Sequence, residues 1–368
     1  MTKNQRMSNF ELLRIVAMVL IIIHHLVVHC FEVQLTTESS IEQFNNGWYN
    51  NPVFYPILFL PEIFNPLGKA GVAIFMLLSG YFLVERGKTV NLGKIASKLL
   101  GMIAFAVVLV TVGITVWQAI HPDPDIKLPI FELHAYNWWF VGYYLIAVIA
   151  GKVWLNGYLS NASREVYFGF VAALAGLIFL QFSFSVIAGL SIPLPTALCG
   201  VFLYLLGGYI KKYDPFGKIR TPGVILAFVL LCGTVFLIYR NNFVNALQEY
   251  QAGGESEGFR QHVFSFTETD IIPIFMGITI FELFRRIRIP ANRFINYLGN
   301  ASFMVYLIHD LPYIRAIWNR TDFVTMLHES PLRFCLTFLM WVAIVYAAGT
   351  LAYLLYRGIL KAFRAVKQ

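Results

Sequence analysis

The chain has 368 residues, 58% of them hydrophobic and 13% charged, with a net charge of +8. Soluble domains are about 45–50% apolar and about a quarter charged, so this composition excludes an ordinary water-soluble globular protein. A nucleic-acid partner is not expected either, because that reading needs the basic residues gathered on one solvent-exposed face. Cys30, Cys199, Cys232 and Cys335 are scattered through apolar segments without CxxC spacing. They read as small buried apolar residues, and no metal site or redox pair is expected.

In chain order, apolar runs of spanning length fall at about 12–31, 67–84, 96–118, 138–155, 165–183, 194–210, 222–239, 270–284, 296–313 and 334–356. The first has no small-residue cleavage site and is expected to persist as a membrane helix. The expected fold is therefore an all-α integral membrane protein, a bundle of about ten transmembrane helices forming a single domain over 1–368, with no appended soluble domain. An even count places both termini on one side. With the N- and C-termini cytoplasmic, only Lys69, Lys127, Arg240, Arg260, Arg315, Arg320 and Arg333 of the 28 basic residues fall outside. That is the asymmetry of the positive-inside rule. The polar stretches 32–65 and 241–268 then lie outside, either as ordinary connecting loops or as cover for an extracytoplasmic site. Residues 251–258 read as a mobile tip. No fixed-period repeat or matched pair of broken helices points to a transporter.

Ionisable groups inside a bilayer are costly, so each one that cannot snorkel to an interface is a functional candidate. Glu11, Arg14, His24, His25 and His29 all lie on the first helix. Eleven residues separate Arg14 from His25, a rotation of about 1100°, or roughly 20° past three turns. The two side chains therefore share one face, about 16 Å apart along the axis. Glu11 precedes Arg14 by one turn and is placed to hold its guanidinium. His29 follows His25 by one turn on the same side, whereas His24 points elsewhere.

These residues resemble the signature of acyltransferase family 3, membrane acyltransferases that modify cell-envelope glycans and include the membrane domains of peptidoglycan and O-antigen O-acetyltransferases. The family's Arg-(ten residues)-His pattern corresponds to Arg14 and His25, and the preceding run from Asn9 to Leu13 is similar too. Further matches are Gly71 to Phe82 (GVAIFMLLSGYF), Trp138 to Tyr144 (WWFVGYY) and Leu298 to His309 (LGNASFMVYLIH). The family often carries an Arg-x-x-Arg pair where the third helix begins. Here Lys94 and Lys98 stand in that region and, with Lys98 at the first position, Gly101 stands at the second.

The resemblance implies a cytoplasmic acyl-coenzyme A donor, most often acetyl-CoA, and an acceptor hydroxyl on an extracytoplasmic or lipid-linked glycan. It implies a multi-pass protein of the bacterial cytoplasmic membrane whose partners are membrane lipids and the glycan acceptor; the oligomeric state is left open, a dimer being one option. Arg14, Lys94 and Lys98 are expected to meet the anionic end of the donor, and His25, with Arg14 and Glu11, to carry the chemistry. Ser79, Trp139, Tyr306, His309 and Asp310 are expected to orient substrate or the imidazole. A carrier or flippase for a glycan or lipid-linked sugar is the competing reading.

Overall fold

The computed structural model describes residues 7–48, 54–85, 91–122, 138–179, 194–255 and 266–366. Lys3, Arg6, Arg86, Lys88, Lys127, Arg260 and Lys367, the end of the fifth apolar run at 180–183 and tip residues 256–258 lie outside them. Every one of the ten apolar runs contains a helix, the ninth run breaking at 309–311, and no strand occurs among the described residues. In chain order the helices are α1 (Ser8–Leu26), α2 (Phe64–Leu83), α3 (Leu92–Ile120), α4 (Trp139–Ala150), α5 (Arg164–Phe179), α6 (Leu194–Tyr213), α7 (Thr221–Gln251), α8 (Ile271–Arg286), α9 (Arg293–Ile308) and α10 (Pro331–Val366).

Among the described residues, six helical stretches are long and apolar enough to cross a membrane: Ser8–Leu35, Pro56–Leu83, Leu92–Ile120, Trp139–Leu159, Thr221–Gln251 and Pro331–Ala365. Their helical backbone satisfies its own polar groups, as hydrocarbon requires. The outward faces of α3, α7 and α10 are apolar, with Val108, Val112, Leu226, Leu230, Leu336 and Leu339 all exposed. Cys335 lies exposed on α10 as well, so burial holds for Cys30 and Cys199 but not for every cysteine.

The stretch containing α2 is the most enclosed, with 72% of its apolar window buried against 11% for α7. α2 packs on α1, α6 and α8. Small residues allow these close crossings. A Cβ on Gly80 or Gly207 would run into the backbone of Tyr204 or Leu77 on the facing helix, and one on Gly71 would stand 2.6 Å from the Ala17 carbonyl oxygen.

Two polar residues at the start of α1 tie several helix ends together. Ser8 Oγ donates to Asn296 Oδ1 at 2.9 Å and accepts from the Asn292 amide at 2.8 Å, while Asn9 Nδ2 donates to the Phe284 carbonyl at 3.1 Å. Asn292 in turn caps α9 by accepting from the Phe294 and Ile295 amides.

The polar stretches between helices are more ordered than their composition suggests. Residues 38–45, 54–58 and 61–63 are short helices, and α7 runs to Gln251 rather than ending near 239. The reason is apolar spacing. Phe243, Ala246 and Leu247 share one face and are buried, with the Phe243 ring 5.2 Å from Phe44 and 5.4 Å from Phe59.

Candidate active site

Arg14 and His25 line one cavity of about 240 Å³, enclosed by α1, α2, α3, α4 and α9. Helical facing across eleven residues therefore places them as the spacing requires. Ser79, Lys98, Trp139 and Tyr306 line the same cavity, so six of the expected residues converge there. Glu11 Oε1 accepts from the Arg14 guanidinium at 2.8 Å. The space for that carboxylate comes from Gly299, where a Cβ would stand 2.5 Å from Glu11 Oε2. Ser79 donates its hydroxyl proton to the Phe75 carbonyl at 2.7 Å, which fixes its oxygen on the cavity wall.

A second cavity of about 210 Å³ meets the first at His25, Trp139 and Tyr306 and continues to His29, Lys69, His309 and Asp310. Here the helix of α1 changes pitch. Residues Val27–Phe31 form a π-helical turn, a local widening that is frequent at functional sites. It leaves the His29 ring stacked 5.2 Å from His25, while the His309 ring stands edge-on to His25 at 4.8 Å.

Asp310 organises this cluster because α9 stops just before it. Pro312 disfavours helical backbone at Leu311, which is extended, and opens the next short helix, Pro312–Trp318. Asp310 is thus freed from α9, and Arg315 returns toward it. The guanidinium forks onto the carboxylate, Nε to Oδ1 at 2.6 Å and Nη2 to Oδ2 at 2.5 Å. Asp310 Oδ2 also lies 3.1 Å from His25 Nδ1, and Oδ1 lies 3.7 Å from His29 Nε2. His25, His29 and Asp310 converge closely enough to hold a metal ion. Both carboxylate oxygens are nevertheless engaged by Arg315, which supplies the positive charge at that point.

His24 is buried and faces α2, with Nδ1 2.8 Å from the Asn65 carbonyl oxygen. Gly68 makes the room, since a Cβ there would overlap the His24 side chain. Trp138 donates its indole N–H to the Leu307 carbonyl at 3.0 Å, and Tyr306 Oη accepts from the Phe140 amide at 3.2 Å. These bonds dock α4 against α9 and fix the wall between the two cavities.

Lys94 does not reach the cavity of Arg14. With Lys98 it lines a third cavity, of about 970 Å³, between α3 and the far end of α10. Lys98 and Asn300 belong to both the third and the first.

Sequence reasoning missed the role of Arg315, which reads there only as one of a few outer basic residues. Tyr144 and Asn300 of the first cavity were also unassigned, although both lie at or beside the aromatic and Leu-Gly-Asn motifs.

A helical bundle suited to a membrane thus encloses a histidine beside a carboxylate, with an arginine on the same helix face. The chain belongs to acyltransferase family 3: the model described as "Acyltransferase domain" matches residues 7–357, nearly its whole length. It is a membrane acyltransferase. No curated protein and no solved structure matches it.

Proposed function

We propose that this enzyme moves an acyl group, acetyl in the first instance, from a cytoplasmic acyl-coenzyme A to a hydroxyl of an extracytoplasmic or lipid-linked glycan. The observation that carries the reading is the meeting of two cavities at one imidazole. In this proposal the chain crosses a bacterial cytoplasmic membrane ten times, with both termini inside. The ends of α6, α8, α9 and α10 that carry Lys211, Arg285, Arg286, Arg293 and Arg357 then face the cytoplasm, as the positive-inside rule favours. The cavity of Arg14 opens toward that side, and the cavity of His29, Lys69 and Asp310 toward the other.

Transfer then needs one base and one arranged path. The donor's anionic nucleotide end stays near Arg14 while its long pantetheine arm carries the thioester along the apolar wall toward His25. Asp310 beside Nδ1 favours the tautomer with its proton on that nitrogen, which leaves Nε2 to take the proton of the acceptor hydroxyl. The hydroxyl oxygen attacks the thioester carbonyl, the C–S bond breaks, and the departing sulfur receives the proton from the imidazolium. Asp310 stabilises the imidazolium while it exists, and Arg315 keeps the carboxylate in place.

Mass spectrometry of the envelope glycan from cells with and without the gene tests this reading. Loss of the acyl mass increment from one sugar is expected, together with acyl-coenzyme A turnover by the purified protein. An unchanged glycan and no turnover would leave the carrier reading in its place.

A further inference from the structure

The third cavity has a lining of defined chemistry. Lys94 and Lys98 stand one turn apart on α3, and Arg357, Lys361 and Arg364 repeat at four- and three-residue spacing on α10, so each helix presents one cationic stripe. Both stripes line the same space of about 970 Å³, and no acidic side chain lines it among the described residues. Three tyrosines, Tyr297, Tyr353 and Tyr356, form part of the remaining wall. Tyr297 and Tyr353 have ring centroids 5.9 Å apart, and Tyr356 Oη lies 3.0 Å from where a Cβ on Gly101 would stand. Tyr297 Oη has no hydrogen-bond partner among the described residues.

Five cations beside tyrosine rings suit a ligand with several phosphates and a flat heterocycle, that is, a nucleotide. Free phosphate or a lipid headgroup shares the phosphate chemistry but has no use for the tyrosines. The cavity adjoins that of Arg14 through Lys98 and Asn300, so a ligand seated here has a direct way to the transfer site.

We infer that the basic face of α10 around Arg357 and Lys361, together with Lys94 and Lys98 of α3, forms the binding site for the phosphorylated nucleotide end of the acyl donor. The inference rests on the acyl-coenzyme A reading above. It assigns to the end of α10 a role in donor binding beyond orienting the chain in the membrane.

The test measures coenzyme A binding by calorimetry to the full-length protein in phosphatidylcholine nanodiscs, with and without phosphatidylglycerol. The double variant Arg357→Gln/Lys361→Gln should raise Kd about tenfold or more, since each charge-assisted contact is worth about tenfold. The control is Lys218→Gln/Arg220→Gln, two exposed cations in the segment joining α6 to α7 and outside the cavity; it should change Kd less than about twofold. Removing the ligand's 3′-phosphate should weaken binding to wild type more than to the α10 variant. Equal losses in both variants would reduce the site to a general surface field and overturn it. Unaltered coenzyme A binding by the α10 variant, or loss only of its phosphatidylglycerol retention, would overturn the nucleotide site and leave the acyl-coenzyme A reading intact. Absence of coenzyme A binding by wild type would overturn both.

Discussion

The two ends of the path through this enzyme are built in opposite ways. At the α3–α10 end the cations are exposed, and Lys94, Lys361 and Arg364 reach into open space on long flexible stems. At the His25 end the polar groups are clamped: the Asp310 side chain is only 9% exposed, is forked by Arg315 and touches two histidines. A diffuse set of charges suits binding, where many geometries attract an anion nearly equally well. A locked set suits bond making, where one geometry must be held before the reaction starts. Substitutions at the two ends should therefore fail differently, one in KM and the other in kcat.

His25→Ala should produce the largest loss, about 10²–10⁴-fold in kcat, with donor Kd little changed, because general-base help is removed while the distant nucleotide contacts remain. The comparison breaks if its KM for donor rises as kcat falls, at normal membrane abundance.

Asp310→Asn should come next. It removes the charge beside Nδ1 and one charge-assisted contact of about 1.5–3 kcal/mol, which corresponds to about 10–100-fold in kcat. Steady-state kinetics at saturating donor read this directly, and a change confined to KM would place Asp310 in binding instead.

Arg14→Lys keeps the charge but loses the planar fork that Glu11 holds at 2.8 Å. A loss of about 1.5 kcal/mol of charge-assisted bonding predicts a KM for donor raised about tenfold with kcat within a few-fold. Equal loss in both constants would move Arg14 to the chemical end of the path.

His24→Asn is expected to have the smallest effect, under about threefold in either constant, because Asn places an N–H donor near the position of Nδ1 and can keep the bond to the Asn65 carbonyl. Thermal unfolding should shift only slightly. A loss matching that of His25→Ala would show that facing along α1 does not separate the two neighbours.

Much of the site is legible in the sequence, for a reason particular to helices. A straight α-helix converts spacing into direction, so residues eleven apart, such as Arg14 and His25, fall on one face without any tertiary information. Glu11 follows from the same rule. The long apolar helices are visible because continuous hydrophobicity is what a membrane-crossing segment requires, although α7 and α10 extend well past their apolar cores on amphipathic turns. What is not legible depends on long-range packing. Asp310 is visible as a charge in an apolar neighbourhood, but its approach to His25 needs α9 to lie against α1. Arg315 is harder still, since its role follows from the turn at Leu311 and Pro312. Lys94 shows the same limit: spacing sets it one turn from Lys98, but only packing against α10 shows that it lines the outer basic cavity and not that of Arg14.

The central claim is that donor enters at the Arg14 side and that His25 acts where the two cavities meet. Membrane vesicles sealed in opposite orientations, supplied with radiolabelled acetyl-coenzyme A, test it most directly by label incorporated into the envelope glycan. Inverted vesicles, whose cytoplasmic face meets the added donor, should incorporate label; right-side-out vesicles should do so only after permeabilisation; and His25→Ala should abolish incorporation in both. Equal incorporation by intact right-side-out vesicles, or substantial transfer by His25→Ala at wild-type abundance, would contradict it.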